Sequence, residues 1–148
     1  MKYVYGTRNY GIWYTSSNNF GLVHYTDGDW AGSFDDRKST SGYVFNLGLG
    51  VVLWCPKKQP TISLSSTEAE YIAATTMTCE SIWLKKVLLD IKQEPKYAKI
   101  IYCDNLSTIA ITKNLVFHNR TKHIDIKYHF IRDYAEKGEI EIKFFYSK

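Results

Sequence analysis

The chain has 148 residues, a formal net charge of +4 and a pI near 8.8; 45% of the residues are hydrophobic and 23% are charged. This length and balance are typical of one globular domain with a buried core, and they exclude a fibre and a disordered tail. The sequence has no bilayer-spanning apolar run, no signal pattern and no CxxC pair among its three cysteines. We therefore expect a soluble intracellular protein, of the cytoplasm or the nucleus, without a disulfide framework or a zinc site.

The first part of the chain predicts a leader and three strands. Residues 1–20, rich in Tyr, Gly and Asn, form the leader. The patterns of Gly21–Asp27, Ser41–Leu47 and Val51–Cys55 each predict a strand, and Gly48–Gly50 predicts a turn between the second and the third. Three strands so closely spaced predict an antiparallel meander.

A long helix is predicted from Thr67 to Asp90. Ser65 and Glu68 have the spacing of a capping box, in which a hydroxyl caps the helix and a glutamate lies three residues later. Residues at helical spacing form a mostly apolar stripe that should face the core, and Trp83 on this stripe is expected to be buried. The stripe consists of Ala69, Ile72, Ala73, Thr76, Cys79, Trp83, Val87 and Ile91.

The second half of the chain predicts two more strands and two more helices. A strand at Lys99–Asp104 precedes a short helix at Ser107–Lys113. An amphipathic helix at Ile124–Lys137 ends at Gly138, and Glu139–Phe144 alternates as a half-exposed strand does. The order β-β-β-α-β-α-α-β predicts an α/β fold with a mixed sheet and helices packed on it.

Three acids have the positions that metal chemistry requires. Asp27 and Asp104 each end a predicted strand, and Glu70 lies one residue off the apolar stripe of the long helix. Neighbouring strands would bring the aspartates together, and a crossing helix would add the glutamate. Mg²⁺ or Mn²⁺ would relieve the repulsion among them, whereas the alternative is simple solvated acids. Asp29, two residues after Asp27, is expected to be a loop acid.

Five motifs, in order, resemble one known family. Together they closely resemble the ribonuclease H region of Copia-type (pseudoviral) long-terminal-repeat retrotransposons, especially those of plants, and the resemblance runs from about Tyr3 to Phe144. The motifs are Tyr25–Gly32, Arg37–Tyr43, Ser63–Tyr71, Tyr102–Asn105 and Arg120–Asp125.

The resemblance implies a fold, a reaction and a set of ligands. The fold is ribonuclease H-like, with a mixed five-stranded sheet and flanking helices in a single domain over 1–148. The reaction is two-metal cleavage of the RNA strand of RNA–DNA hybrids. The family's metal-binding carboxylates match Asp27, Glu70 and Asp104, with Mg²⁺ or Mn²⁺ as the cofactor. Glu68 competes with Glu70 for the helical position, but the capping box gives Glu68 a structural role.

The chain departs from its relatives at both ends. They continue past the last strand into a helix that carries a fourth carboxylate, whereas this sequence ends at Lys148. Asp125 and Asp133 belong to the preceding helix on the family pattern and are poorly placed as substitutes. We therefore expect the C-terminal helix to be missing, a second ion to be weakly held, and activity to be low, Mn²⁺-dependent or absent. Relatives also carry reverse transcriptase sequence upstream, so the chain is expected to be a truncated element fragment, adopted by its host.

An alternative function follows from the same truncation. Loss of the helix would leave Ile140, Ile142 or Phe144 of the last strand poorly covered, and exposed apolar area invites self-association or a protein partner. The protein would then be a catalytically weak or inactive interaction or regulatory module. A third possibility is binding of nucleic acid without cleavage, with an affinity that falls steeply with salt.

Two groups of polar residues are candidates for contacts with the hybrid. Ser66 and Asn105 flank the acids and would contact RNA 2′-hydroxyls; helix capping is the alternative for both, and it is favoured for the serine. His118, Arg120 and Lys122 form a basic loop before a helix, which suits phosphate contacts; exposed surface charge is the alternative.

Overall fold

A computed structural model describes residues 2–14, 21–93, 99–113 and 122–146, and for 122–128 it describes the backbone alone. Nine elements occur in these ranges. In chain order they are α1 (Lys2–Gly6), β1 (Leu22–Asp29), β2 (Thr40–Leu47), β3 (Gly50–Lys58), α2 (Ser66–Asp90), β4 (Lys99–Cys103), α3 (Leu106–Lys113), α4 (Lys122–Glu136) and β5 (Ile140–Phe144). Apart from α1, this is the predicted order; the assignment of residues 1–20 as a leader stays a prediction.

The five strands form one mixed sheet in the order β3-β2-β1-β4-β5. β1, β2 and β3 pair antiparallel, which confirms the meander, and β4 joins the other edge of β1 in parallel, followed by β5 in parallel with β4. Thr26 of β1 lies opposite Cys103 of β4. The carboxyl ends of these two central strands therefore meet at one edge of the sheet.

The helices α2, α3 and α4 cover one face of the sheet. Alternate residues of β1 are buried under α2, namely Leu22, His24, Thr26 and Gly28. α3 and α4 pack against α2 and β5. The core between helices and sheet contains Tyr43, Phe45, Tyr71, Ala74, Met77, Ile101, Cys103, Ile109, Ile131, Ile140 and Ile142.

The buried face of α2 departs from the predicted stripe in the second half of the helix. Cys79 and Ile91 are exposed and Trp83 is 54% exposed, so the prediction of a buried Trp83 was wrong. The helix instead buries a row that includes two small hydroxyl residues, Thr78 and Ser81. Thr78 Oγ1 donates to the Ala74 carbonyl at 2.8 Å, which satisfies the hydroxyl inside the core. Because such residues count as polar in a sequence pattern, the pattern misplaced the second half of the buried face, whereas Ala69, Ile72 and Ala73 of the predicted stripe are buried.

The last strand is covered, contrary to expectation. Ile140 is 2% exposed and Ile142 is 6% exposed, while Phe144 is half-buried. α3 and α4 supply this cover by packing on β5. Gly138 closes α4 with a φ of +67°, the left-handed conformation that a C-terminal glycine adopts readily. None of the described helices is both long enough and apolar enough to cross a membrane.

Candidate active site

The three predicted acids come from three different elements that meet at one edge of the sheet. Asp27 lies near the end of β1, and Asp104 directly follows β4. Glu70 is in the second turn of α2, which packs on β1. Because β1 and β4 are parallel neighbours, their carboxyl ends bring the two aspartates to the same edge, and the start of α2 adds Glu70 from the helical side.

Gly28 lets α2 approach β1 closely enough to place Glu70. A Cβ at Gly28 would lie 2.9 Å from Glu70 N and 3.0 Å from Glu70 Cα, so only glycine fits without a backbone shift. The Gly28 backbone also forms a hydrogen bond with the Glu70 carboxylate. The role of Gly28 is not visible in the sequence, because the close approach arises only once the helix lies across the strand.

The start of α2 is held by its cap. Ser65 Oγ accepts from Glu68 N at 3.2 Å, and Glu68 Oε2 accepts from Leu64 N at 2.8 Å. The predicted capping box is therefore present, with the glutamate reaching the residue before the cap. This contact gives Glu68 a structural role and leaves Glu70 as the helical acid at the site.

Gln59, a second residue that the sequence analysis missed, ties the cap to the sheet. Its buried Nε2 donates to Ser41 Oγ and to the Ala69 carbonyl, both at 2.9 Å, and its Oε1 accepts from Ser63 Oγ at 2.9 Å. These bonds link β2, the segment after β3 and α2. Gln59 therefore acts as a positioning residue for the turn that carries Glu70.

Burial and neighbouring negative charge perturb Glu70. Burial, followed by the charges of Asp104 and Asp27, raises its pKa to about 7, while the hydrogen bond from Gly28 opposes this rise. Glu70 is 6% exposed, and its buried Oε2 has no hydrogen-bond partner among the residues described. A buried carboxylate oxygen without a donor, facing other carboxylates, has the surroundings that a cation would complete.

The structure adds a sulfur to the predicted set. One ligand atom each of Glu70, Cys103 and Asp104 lie within 4.8 Å of one another. Asp27 stands outside this trio within the described part of the chain, although its charge still raises the pKa of Glu70. Burial, as the largest influence, raises the pKa of the Cys103 thiol to about 11. The carboxylates suit Mg²⁺ or Mn²⁺, and no assignment of a role to Cys103 was made from the sequence.

Asp29 ends β1 opposite Thr40, so its prediction as a loop acid was wrong. Its carboxylate lies where a Cβ at Gly32 would clash with it, so it is directed toward the connection to β2. Asp133 forms an exposed ion pair with Lys137 at 2.6 Å on α4. The Asp133 side chain is therefore engaged on the surface of its own helix.

An aromatic groove of about 610 Å³ opens on the other face of the sheet beside Asp27 and Asp104. Tyr25 and Tyr102 stack in it with ring centroids 5.1 Å apart, and Phe145 contacts the Tyr25 ring edge-on at 5.4 Å. The acids thus have the helix-covered core on one side and an open apolar groove on the other.

Of the residues predicted to contact the substrate, the structure describes the side chains of Ser66 and Asn105. Ser66 is an exposed first residue of α2, next to the cap Ser65 rather than being the cap itself. Asn105 Oδ1 accepts from Thr108 N at 3.0 Å and so caps α3, as the simpler alternative predicted. His118 and Arg120 lie outside the described residues, as does the side chain of Lys122, whose backbone begins α4.

Similar sequences come from transposon polyproteins. No protein-family model matches the chain. It is 41% identical over 142 residues to the retrovirus-related Pol polyprotein from transposon TNT 1-94 of Nicotiana tabacum, and 39% identical over 142 residues to that from transposon RE1 of Arabidopsis thaliana. Each match covers 96% of this chain and 10% of the polyprotein, so the chain spans about a tenth of the length of these relatives.

Similar solved structures are ribonuclease H enzymes and reverse transcriptases. A ribonuclease H1 isolated from compost matches with a TM-score of 0.59 at 13% identity, over 86% of this chain and 84% of that one. The complex of that enzyme with an RNA/DNA hybrid matches with a TM-score of 0.53 at 13% identity, over 84% of this chain and 83% of that one. The prototype foamy virus protease-reverse transcriptase matches with a TM-score of 0.58 at 17% identity, over 92% of this chain and 19% of that one. These likenesses confirm the predicted ribonuclease H-like fold.

Proposed function

This chain is homologous to one segment of the retrovirus-related Pol polyproteins of plant transposons and has a ribonuclease H-like fold, and on that basis we propose that it is a metal-dependent endonuclease. Its substrate is the RNA strand of an RNA–DNA hybrid. The observation that carries the proposal is the buried Glu70 Oε2, which lacks a hydrogen-bond partner among the described residues and belongs to a carboxyl group whose pKa is raised by the charges of Asp104 and Asp27.

The three carboxylates have different roles because they differ in exposure to solvent. Asp104 and Asp27 are exposed and lie where a phosphodiester can approach, whereas Glu70 anchors the site from within the core. Mg²⁺ or Mn²⁺, when bound, supplies Lewis-acid stabilisation of the charge that develops on the phosphate. Occupancy by two ions, and weaker binding of the second, stay predictions from the family resemblance.

Discrimination of RNA from DNA is assigned to Asn105. Because its Oδ1 caps α3, its amide NH₂ is the group that would contact a 2′-hydroxyl. Ser66 is exposed at the start of α2 and can approach the same strand. We also propose that His118, Arg120 and Lys122 contact the phosphates of the RNA–DNA hybrid.

The alternative of an interaction module loses the observation that motivated it. That alternative depended on uncovered apolar residues in β5, and Ile140 and Ile142 are buried. Phe145 at the end of the chain does border the open aromatic groove, but it is not part of β5. We therefore put the enzyme first.

The test is cleavage of a hybrid that carries a labelled RNA strand, in Mg²⁺ and separately in Mn²⁺. We expect RNA cleavage by the wild type and loss of cleavage in Asp104→Asn. Asp133→Asn removes an exposed carboxylate from α4 and is the matched control, which should cut as the wild type does. No cutting by folded wild type in either metal, or cutting that persists in Asp104→Asn, would refute the proposal.

A further inference from the structure

We propose that Glu70, Cys103 and Asp104 form a binding site for Zn²⁺, in which the thiol sulfur of Cys103 is a direct ligand. Such a site would make Zn²⁺ a competitor of Mg²⁺ at this edge of the sheet. The inference rests on the proposed function in one respect: Glu70 and Asp104 belong to both sites.

The geometry places one soft donor, a sulfur, close to two hard oxygen donors. Cys103 is the last residue of β4 and is 1% exposed, with its side chain on the helix-covered side near Glu70. One donor atom each of Glu70, Cys103 and Asp104 lie within 4.8 Å of one another. The thiol donates to the Asn105 carbonyl over a long Sγ–O distance of 3.9 Å, a weak contact that coordination would replace.

Glu70 supplies an independent indication that a cation belongs here. Its Oε2 is buried, and the described residues provide no hydrogen-bond donor to it. A cation bound by the carboxylates of Glu70 and Asp104 would bring positive charge to this buried group and would also be within reach of the sulfur.

The donor set favours a borderline ion over a hard one. Zn²⁺ forms bonds of about 2.3 Å to thiolate sulfur and about 2.0–2.2 Å to carboxylate oxygen, usually with four ligands. Three protein donors leave one position for water. Mg²⁺ binds oxygen and gains little from sulfur, so Cys103 shifts the preference toward Zn²⁺ and its analogues Co²⁺ and Cd²⁺.

Binding exchanges one proton for one metal–sulfur bond. The Cys103 S–H bond breaks, its proton goes to solvent, and the electron pair left on sulfur is shared with the cation. The metal keeps its oxidation state, and no other reactant is needed.

The other two cysteines provide matched controls. Cys55 on β3 is half-buried and its thiol donates to the Pro56 carbonyl at 3.5 Å. Cys79 on α2 is exposed. Neither belongs to a group of three candidate ligands within the described ranges.

The experiment is a titration of the 148-residue protein with Co²⁺, followed by near-ultraviolet absorption. Thiolate bound to Co²⁺ gives a ligand-to-metal charge-transfer band. We expect this band to saturate at one Co²⁺ per chain, to persist in Cys55→Ser and Cys79→Ser, and to disappear in Cys103→Ser. Added Zn²⁺ should displace Co²⁺ and abolish the band.

Affinity provides a second measurement that does not depend on the spectrum. Calorimetric titration with Zn²⁺ should give a Kd that is at least about tenfold higher in Cys103→Ser. Even the loss of a residue that only hydrogen-bonds to a metal ligand lowers metal affinity by about 10–100-fold, and Cys103 would be a ligand itself. Cys103→Ala serves in the same way if the serine variant does not fold. No band in the wild type, or an unchanged band and Kd in folded Cys103 variants, would overturn the inference.

The outcomes separate this inference from the proposed function. Hybrid cleavage in Mg²⁺ without a Co²⁺ charge-transfer band overturns the thiol site and leaves the nuclease standing. A Cys103-dependent band without cleavage supports the metal site and overturns the nuclease.

Discussion

Substitution of Gly28 by alanine tests the link between the fold and the site. The added Cβ would lie 2.9 Å from Glu70 N, whereas ordinary contacts begin near 3.4 Å, so the start of α2 must retreat by about half an ångström. Overpacking of this kind lowers the free energy of unfolding by about 1–3 kcal/mol. Alanine also restricts the unfolded chain more than glycine does, which offsets roughly 0.5–1 kcal/mol of that loss. We expect Tm to fall by several degrees, since about 1 kcal/mol corresponds to about 2–4 °C at this size.

Gly28→Ala should also slow cleavage, because the retreat of α2 displaces Glu70. A misplacement of 1 Å costs about 100-fold in rate, so a retreat of half that distance at Glu70 should cost roughly tenfold. The assay is hybrid cleavage in Mg²⁺, with Tm measured with and without Mg²⁺. Gly42→Ala is the matched control, because Gly42 lies opposite Asp27 and a Cβ there would meet only Asp27 O, at 3.8 Å. Equal cleavage rates and equal Tm values for the two variants would refute this account of the close approach.

Three further predictions concern how far particular side chains are buried. His24 is fully buried, and burial, with the charge of Lys99, lowers its pKa from 6.5 to about 3, so only the unfolded chain binds a proton between those values. Lowering the pH from 7.5 to 5 should therefore cost the wild type about 2 kcal/mol relative to His24→Gln in urea unfolding; an equal loss in both would contradict this. The raised pKa of Glu70 has the opposite consequence, because its stabilising neutral form is complete below pH 4.5 and is lost as the pH rises through about 7. In the metal-free protein Glu70→Gln should gain on the order of 3 kcal/mol over the wild type between pH 4 and 8, and Mg²⁺ should reverse the gain, whereas a pH-independent difference would argue against it. Finally, Trp83→Ala should lower the free energy of unfolding by less than about 1 kcal/mol, against about 2–5 kcal/mol for Met77→Ala in the core. A larger loss for Trp83→Ala would mean that the ring is buried.

Local patterns in the sequence were sufficient to predict the elements. Alternation and turn residues located the strands, and the Ser65 cap located the start of α2. Asp27 and Asp104 could be placed at the same edge of the sheet because strand ends are visible in the sequence and parallel neighbours align those ends. The ribonuclease H-like fold followed from the resemblance of five ordered motifs to a known family.

What the sequence could not predict depends on contacts between distant segments. Thr78 and Ser81 are buried because their hydroxyls find partners inside the core, so a pattern of polarity places the α2 face wrongly. Ile142 is covered by helices that lie elsewhere in the sequence. Cys103 has no CxxC neighbour, and its proximity to Glu70 arises only when β4 and α2 are in place.

The parallel pairing of β1 with β4 has a consequence for the order of folding. The antiparallel meander and α2 are built from short-range connections, whereas β4 must return across the whole of α2 to reach β1. Closing that long loop costs chain entropy before any contact compensates for it, so non-local parallel pairing forms slowly. A nascent or partly refolded chain can therefore contain the complete meander while Asp27 and Asp104 are still far apart, and the two aspartates come together only in a late step of folding.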